Sequence, residues 1–144
     1  MNTLENRRRR TKVLFVCIGN SCRSQLAEAI ARQHAADVIE AESAGTAPLG
    51  FVARETLAAL QENGIRAEGH YSKSIEEAGT FFEAEMVVNM SERRLDGMFP
   101  GAAVVEWKIE DPFGSGPEVY QRIYAEIEGR VKKLAANLRN GERA

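Results

Sequence analysis

The stretch CIGNSCRS places two thiols, a guanidinium and two hydroxyls within residues 17–24. It follows an apolar run, VLFV, and precedes a helical pattern. A loop that turns back towards the start of a helix can aim successive backbone N–H groups at one point, which makes a concave anion site. Gly19 and Asn20 suit the positive φ angles that a tight turn requires. The spacing therefore predicts an oxyanion-binding loop formed by Ile18, Gly19, Asn20, Ser21, Cys22, Arg23 and Ser24.

Two side chains of this loop predict nucleophilic chemistry. The planar guanidinium of Arg23 keeps its charge and matches two oxygens of a phosphate group. The loop N–H groups, the helix dipole and Arg23 all favour the thiolate form of Cys17, so we expect a nucleophile at neutral pH. The Ser24 hydroxyl can donate to that sulfur. The alternative is a buried cysteine at a strand end beside a surface arginine.

The elements around the loop alternate between strands and helices. Residues 13–16 are continuously apolar, which is typical of a strand buried on both faces of a parallel sheet. The patterns predict further strands at residues 38–41, 86–90 and 103–105, and helices at 26–31, 52–63, 74–78, 91–98 and 118–138. This order predicts a doubly wound parallel sheet, in which ligands bind beyond the carboxyl ends of the strands. The first strand ends at Cys17.

Length and composition predict one catalytic domain over residues 12–140, preceded by a flexible basic tail, residues 1–11, that contains arginines 7–10. The net charge of -2 argues against a nucleic-acid partner. The apolar runs are too short for a membrane span, so we expect no membrane association and a cytoplasmic location. Cys17 and Cys22 are the only cysteines, which excludes a disulfide framework and a structural zinc site. We expect no metal and no cofactor.

The sequence resembles the low-molecular-weight protein tyrosine phosphatases and the related thioredoxin-coupled arsenate reductases. The resemblance runs through VLFVCIGNSCRSQLAEA, ESAGT, the GH and SKSI strings near residue 70, MVVNMSE and EDPFGSG. It implies a flavodoxin-like three-layer α/β sandwich with a four-stranded parallel sheet. It also implies a phosphorylated protein or a small phosphomonoester as substrate, phosphate or another oxyanion as ligand, and a monomer or weak dimer.

The same resemblance implies a general acid at Asp111, which stands in an Asp-Pro pair with Pro112. The chemistry requires such a group, because the leaving oxygen needs a proton and the water that attacks a phosphocysteine needs a base. Family members also support the loop with a side-chain network, which corresponds here to Asn20, Ser24, Ser43 and His70. In this network we expect His70 to hold Asn20 from the outside. A turn aspartate and an ordinary loop histidine are the alternatives.

The nature of the substrate stays open between three activities. A phosphotyrosine phosphatase is favoured because residues 89–100 lack the relay cysteines that arsenate reductases of this type use. An arsenate reductase with an external thiol is the alternative, since Gln25 stands where the phosphatases carry proline. A phosphoarginine phosphatase is similar but has threonine at the position of Ser21.

Two further predictions concern the surroundings of the loop. An apolar or aromatic wall for the substrate is expected from Leu49, Phe51, Trp107 and Phe113. Cys22 is expected either to form a protective disulfide with Cys17 or to serve as a small packing residue. A third class of function, an oxyanion-binding module without catalysis, also fits the loop.

Overall fold

The computed structural model describes residues 10–141 and contains four strands and four helices in that range. The predicted basic tail falls mainly on residues 1–9, which lie outside the described residues. The elements are β1 (Thr11–Cys17), α1 (Arg23–His34), β2 (Ile39–Gly45), α2 (Arg54–Glu62), α3 (Ile75–Gly79), β3 (Met86–Asn89), β4 (Ala103–Glu106) and α4 (Pro117–Arg139).

All four strands are parallel and follow the order β2-β1-β3-β4, so β1 is central. Cys17 pairs with Gly45 of β2, and Val16 pairs with Asn89 of β3. The carboxyl ends of three strands therefore meet around the loop after β1. This arrangement confirms the predicted flavodoxin-like α/β fold.

Both faces of β1 are buried, as the continuous apolar run predicts. Phe15 faces the layer formed by α1, α2 and α4, where it packs in a cluster with Ile30 and Ile127. Leu14 and Val16 face the opposite layer, which α3 and the segment around Leu95 form. Successive side chains of a strand point to opposite faces. The run VLFV therefore anchors both layers and fixes the position of the loop that follows it.

The predicted helix at residues 91–98 is wrong, and the side chain of Asn89 explains why. Asn89 Oδ1 accepts hydrogen bonds from the backbone N and the hydroxyl of Ser91, at 3.0 and 2.6 Å. Its Nδ2 donates to the carbonyl of Arg93 at 2.7 Å. Glu92 has a φ of 62°, which a right-handed helix does not allow. The Ser91 side chain thus stabilises a turn and does not cap a helix.

The start of β1 differs from the sequence prediction, and the cap of α3 confirms it. Thr11, predicted as part of the tail, is the first residue of β1, because its backbone N donates to the carbonyl of Val38 at 2.8 Å. The cap predicted for the short helix is confirmed, since Ser74 Oγ accepts from the backbone N of Glu77 at 3.0 Å. None of the helices within residues 10–141 has the length and apolar composition that crossing a membrane requires.

Candidate active site

The carbonyl groups of residues 17–22 are all held by hydrogen bonds from the surrounding chain. The donors and their distances are Thr46 N to Cys17 O, 3.0 Å; Ala47 N to Ile18 O, 2.8 Å; Leu49 N to Gly19 O, 2.9 Å; Gln25 Nε2 to Asn20 O, 3.1 Å; Ala53 N to Ser21 O, 3.1 Å; and Leu26 N to Cys22 O, 2.9 Å. The backbone N–H groups of residues 18–23 donate to no group within residues 10–141. In a trans peptide the C=O and the following N–H point in opposite directions. Carbonyls held on the outside therefore turn the N–H groups inward, and the loop forms a cup of free N–H donors, which we call the anion cup after the ligand predicted for it.

The tight curvature of this cup depends on two backbone positions. Asn20 has a φ of 48°, in the left-handed region that asparagine tolerates. Gly45, at the end of β2, lies so close to the loop that a Cβ atom there would be 2.5 Å from Ile18 O. The positive φ expected at Asn20 is confirmed, whereas the same expectation for Gly19 is wrong, since Gly19 has no positive φ. The role of Gly45 does not follow from the sequence, which places it only at the end of a strand.

Cys17 lies at the base of the cup, and Ser24 supplies its hydrogen-bond partner. Cys17 Sγ and Ser24 Oγ are 2.8 Å apart. Asn20 Nδ2 donates to the same Ser24 oxygen at 2.8 Å. A thiolate has no hydrogen, so with Cys17 ionised the Ser24 hydroxyl donates to the sulfur. This direction stabilises a thiolate, because a charged acceptor strengthens the bond.

The Arg23 side chain is buried at the edge of the cup. One guanidinium nitrogen donates to the carbonyls of Met90 and Ile109, at 2.6 and 3.0 Å. The Nε atom has no partner among the described residues, although the side chain is only 4% exposed. A buried donor without a partner is costly, and an anion in the cup would satisfy it.

Asp111 lies beside Arg23 and lines the same cavity as Cys17. Its carboxylate Oδ2 is 3.6 Å from a terminal nitrogen of Arg23, and Oδ1 accepts from the backbone N of Phe113 at 3.1 Å. About half of the Asp111 side chain, 49%, is exposed, so the carboxyl group can exchange protons with water. The structure thus brings together the three residues that sequence analysis assigns to catalysis.

These residues surround one cavity of about 150 Å³. Its lining consists of Cys17, Ile18, Gly19, Ser21, Cys22, Arg23, Leu49, Asp111 and Phe113. Two larger cavities, of about 550 and 540 Å³, contain no residue of the loop. The smaller cavity is the candidate site because the free donors and the thiol converge there.

The predicted wall divides into two pairs of residues. Leu49 and Phe113 line the cavity. Phe51 and Trp107 lie outside that lining, contrary to the prediction. Trp107 packs against the core, with its ring 5.9 Å from that of Phe15, and Phe51 is 53% exposed. Whether an apolar side chain reaches the cavity depends on the conformation of its loop, which the sequence pattern does not define.

The supporting network contains three of the four predicted residues in the expected arrangement. Asn20 Nδ2 donates to Ser43 Oγ at 3.0 Å as well as to Ser24. His70 does not contact Asn20, because its Nδ1 lies 3.0 Å from Gln25 Oε1. The outer contact to Asn20 comes from the backbone N of Lys73, which donates to Asn20 Oδ1 at 2.8 Å. The sequence pattern does not indicate the contributions of Gln25 and Lys73.

Buried charged groups lie behind this network. Ser43 Oγ donates to Glu28, whose other oxygen is 2.6 Å from Arg32. Burial and the nearby Glu42 carboxylate raise the pKa of Glu28. Lys73 Nζ is 2.8 Å from Glu42. Ser24, Glu28 and Arg32 are spaced four residues apart on α1, and this spacing is the signal in the sequence that could have revealed the charged cluster.

His70 is part of the same buried region. Burial, followed by the positive charges of Arg32 and Lys73, lowers the pKa of His70 to about 4. Its Nε2 is 3.8 Å from the Glu28 carboxylate. His70 is therefore neutral at pH 7.

Cys22 is a free, buried cysteine in this structure, and part of it lines the cavity. Its Sγ is 3.0 Å from the hydroxyl of Tyr120, and burial raises the pKa of its thiol. Thr56 Oγ1 donates to the adjacent carbonyl of Ser21 at 2.8 Å. These contacts agree with the packing role, which was one of the two predictions for Cys22.

Comparison with known proteins reveals relatives with several activities. A glutaredoxin arsenate reductase from Synechocystis sp. is 31% identical over 132 residues, which cover 88% of this chain and 98% of the relative. An arginine phosphatase from Geobacillus stearothermophilus has a similar structure, with a TM-score of 0.80, 28% identity and coverage of 91% and 94% of the two chains. A low-molecular-weight protein tyrosine phosphatase from T. tengcongensis has a TM-score of 0.73, 32% identity and coverage of 88% and 99%.

A sequence model of one family covers nearly the whole domain. It matches residues 12–144, from the second residue of β1 onward, and so includes the loop, the supporting network and the Asp-Pro pair. The chain therefore belongs to the low molecular weight phosphotyrosine protein phosphatase family.

Proposed function

We propose that this protein hydrolyses phosphomonoesters, with the phosphotyrosine of proteins and small aryl phosphates as its substrates. The observation that carries the proposal is the row of inward N–H groups at residues 18–23, with the Cys17 sulfur at its base. Donors aimed at the site of developing charge stabilise a transition state without reorganising. A tetrahedral dianion provides the oxygens that these donors lack.

In the first step the Cys17 thiolate attacks phosphorus. The S–P bond forms as the bond from phosphorus to the leaving oxygen breaks, and Asp111 gives its proton to that oxygen. The guanidinium of Arg23 and the backbone N–H groups hold the equatorial oxygens during the transfer. The product alcohol leaves, and a phosphocysteine remains.

In the second step water attacks the phosphocysteine. Asp111, now ionised, takes a proton from the water as the water oxygen bonds to phosphorus and the S–P bond breaks. Inorganic phosphate leaves, and the thiolate of Cys17 is restored. The hydroxyl hydrogen of Ser24 stabilises this departing sulfur, because Asn20 holds the Ser24 oxygen in the right orientation.

The walls of the cavity favour an aryl group on the substrate. Leu49 and Phe113 flank the opening and are both about half exposed, so they can pack against a ring. The proposal for phosphotyrosine rests on these two side chains.

Ser21 supports a second candidate, the hydrolysis of phosphoarginine. Its hydroxyl is buried, lines the cavity and has no hydrogen-bond partner among the described residues. A guanidino substrate offers N–H donors that could satisfy this oxygen. The similarity to an arginine phosphatase agrees with this candidate.

Reduction of arsenate is the third candidate and requires an external thiol. Cys17 would displace water from arsenate to form an S–As bond. An external thiol would then attack the Cys17 sulfur, so that the S–As bond breaks with its electron pair on arsenic and arsenite leaves. A second external thiol would reduce the resulting mixed disulfide and restore Cys17. Cys22 is poorly suited to assist, because its sulfur is buried against Tyr120. The relative named a glutaredoxin arsenate reductase agrees with an external donor.

A parallel assay of the wild-type protein distinguishes these activities. The substrates are a phosphotyrosine peptide, a phosphoarginine peptide of the same sequence context, and arsenate with glutathione and glutaredoxin. We expect the highest kcat/KM with phosphotyrosine. Faster release of phosphate from phosphoarginine, or faster formation of arsenite, would contradict the preferred substrate.

The Cys17→Ser variant tests the nucleophile in the same assay. We expect p-nitrophenyl phosphate hydrolysis to fall by at least about 10⁴-fold, because a serine hydroxyl is not ionised at neutral pH. Thermal unfolding and the binding of inorganic phosphate provide the control for folding. Substantial turnover by a folded Cys17→Ser protein would contradict the mechanism.

A further inference from the structure

We propose that Gln25 is a positioning residue of the anion cup, which holds the Asn20–Ser21 peptide so that the Ser21 N–H faces the bound oxyanion. The inference deepens the proposed function and rests on it, since it assumes that the cup binds an oxyanion. Gln25 itself does not line the cavity and touches no reacting atom.

The amide of Gln25 is fully buried and uses its hydrogen-bonding groups on three partners. Its Nε2 donates to the carbonyls of Asn20 and Tyr71, at 3.1 and 3.0 Å. Its Oε1 faces Nδ1 of His70 at 3.0 Å. Rotating the amide by half a turn would aim its oxygen at two carbonyl oxygens, so the orientation is fixed.

This orientation also determines the tautomer of His70. Because the Gln25 oxygen can only accept, Nδ1 of His70 carries the hydrogen in this contact. The neutral ring expected at pH 7 agrees with this, since it needs only one N–H. His70 thus acts on the cup through Gln25 and not through Asn20, the contact predicted from the sequence.

The peptide that Gln25 holds differs from the other peptides of the cup. Among the carbonyls of residues 17–22, that of Asn20 is the one held by a side chain alone within the described part of the chain. The others each accept from a backbone N–H. Asn20 is also the one residue of 17–22 with a positive φ. Loss of Gln25 would therefore release this peptide while leaving its neighbours in place.

Release of the Asn20–Ser21 peptide has a specific chemical result. The freed carbonyl can rotate towards the cup, and the Ser21 N–H then turns away from the anion. One charge-assisted donor is lost, and a carbonyl oxygen approaches a negative ligand. Removal of one such donor typically reduces the rate of an enzyme by about 10² to 10³.

A pair of glutamine variants tests this role. The Gln25→Met variant keeps the size of the side chain and removes its donors. Gln33→Met is the matched control, because Gln33 lies on the same helix and also bridges to another segment. Its Nε2 donates to Gly64 O at 2.8 Å and its Oε1 accepts from Arg66 N at 3.0 Å, away from the cup.

The readouts are the dissociation constant of inorganic phosphate and the NMR shifts of the loop amides. We expect wild type and Gln33→Met to bind phosphate equally, with a downfield shift of the Ser21 amide proton. Gln25→Met should bind phosphate at least about 10-fold more weakly and should lose most of the Ser21 shift while it keeps the Gly19 shift. Unchanged phosphate affinity in Gln25→Met, or equal loss of the Ser21 and Gly19 shifts, would overturn the proposal.

A measurement on the wild-type protein keeps the proposal testable if Gln25→Met does not fold. The Ser21 amide proton should shift on phosphate binding along with those of its neighbours, and both side-chain amide protons of Gln25 should exchange slowly with water. Rapid exchange at Gln25 or an unmoved Ser21 amide would overturn the role of Gln25. Absence of phosphate binding to the wild-type protein would instead contradict the proposed function, so the two failures are distinguishable.

Discussion

The anion cup and the rim of the cavity differ in how firmly the fold holds them. In the cup, each carbonyl of residues 17–22 accepts a hydrogen bond, and Cys17 and Arg23 are buried. At the rim, Leu49 and Phe113 leave about half of their surface exposed. The backbone of the cup is therefore held in one arrangement, whereas side chains at the rim can change without disturbing the fold. The proposed function therefore assigns recognition of the oxyanion to the cup and the choice among its esters to the rim.

The largest effect after loss of the nucleophile is expected from the cup. In the Arg23→Lys variant the charge stays, but the fork that reaches Met90 O, Ile109 O and the anion is lost. We expect kcat/KM to fall by about 10³-fold, because a point charge cannot replace the planar donors. The control is Arg94→Lys, whose side chain is 91% exposed and pairs only with Asp96 in the described structure. Retention of more than a tenth of the activity in Arg23→Lys would show that the charge alone suffices.

Asp111 lies between Arg23 of the cup and Phe113 of the rim. The loss of rate on its replacement should depend on the leaving group. Replacement by asparagine removes the proton donor, so kcat should fall by about 10² to 10³ for alkyl and phenyl phosphates. The loss in the phosphorylation step should be smaller for p-nitrophenyl phosphate, whose leaving group needs little protonation. Pre-steady-state rates with a series of aryl phosphates measure the dependence. An equal loss in that step across the series would exclude Asp111 as the acid.

The buried groups behind the cup should make the stability of the protein depend on pH. The pKa of His70 is about 4 in the folded protein and near 6.5 when unfolded, so the unfolded state binds more protons between these values. This histidine should lower the free energy of unfolding by up to about 3 kcal/mol as the pH falls from 6.5 to 4.

Denaturant titrations of His70→Gln and His34→Gln across this pH range isolate that contribution. The curve for His70→Gln should lack this loss, whereas that for the exposed His34→Gln should follow the wild type. Glu28, Arg32, Glu42 and Lys73 face the same region and remain in all three proteins. Parallel curves for wild type and His70→Gln would contradict the buried neutral histidine.

The rim should give the smallest effects, and these should depend on the substrate. Phe113→Ala removes a ring that lines the cavity, so KM for a phosphotyrosine peptide should rise by a few-fold, about what a partly exposed aromatic contact provides. Phe51→Ala is the control, since that side chain is equally exposed but lies outside the lining. Equal increases of KM in both variants would contradict a specific contact between the substrate and Phe113.

The cup could be predicted from the sequence because its chemistry depends on residue types at fixed spacing. Cys17 and Arg23 follow a buried strand, and Asn20 tolerates the φ that the turn requires. Gln25 and Gly45 could not be assigned in this way, because their roles depend on segments that approach from elsewhere in the chain. The same limit explains the wrong helix at residues 91–98, where the side chain of Asn89 outweighs the local pattern. It also explains Trp107, which packs into the core and not around the cavity.

Rapid quenching of Asp111→Asn with p-nitrophenyl phosphate, followed by mass spectrometry of the loop peptide, tests the central claim most directly. The good leaving group permits attack by Cys17, while loss of the base at Asp111 slows hydrolysis, so the intermediate should accumulate. We expect one phosphoryl group on Cys17, none on Cys22, and a burst of one equivalent of p-nitrophenolate per protein. Turnover without a phosphorylated Cys17, or a phosphoryl group on another residue, would contradict the account.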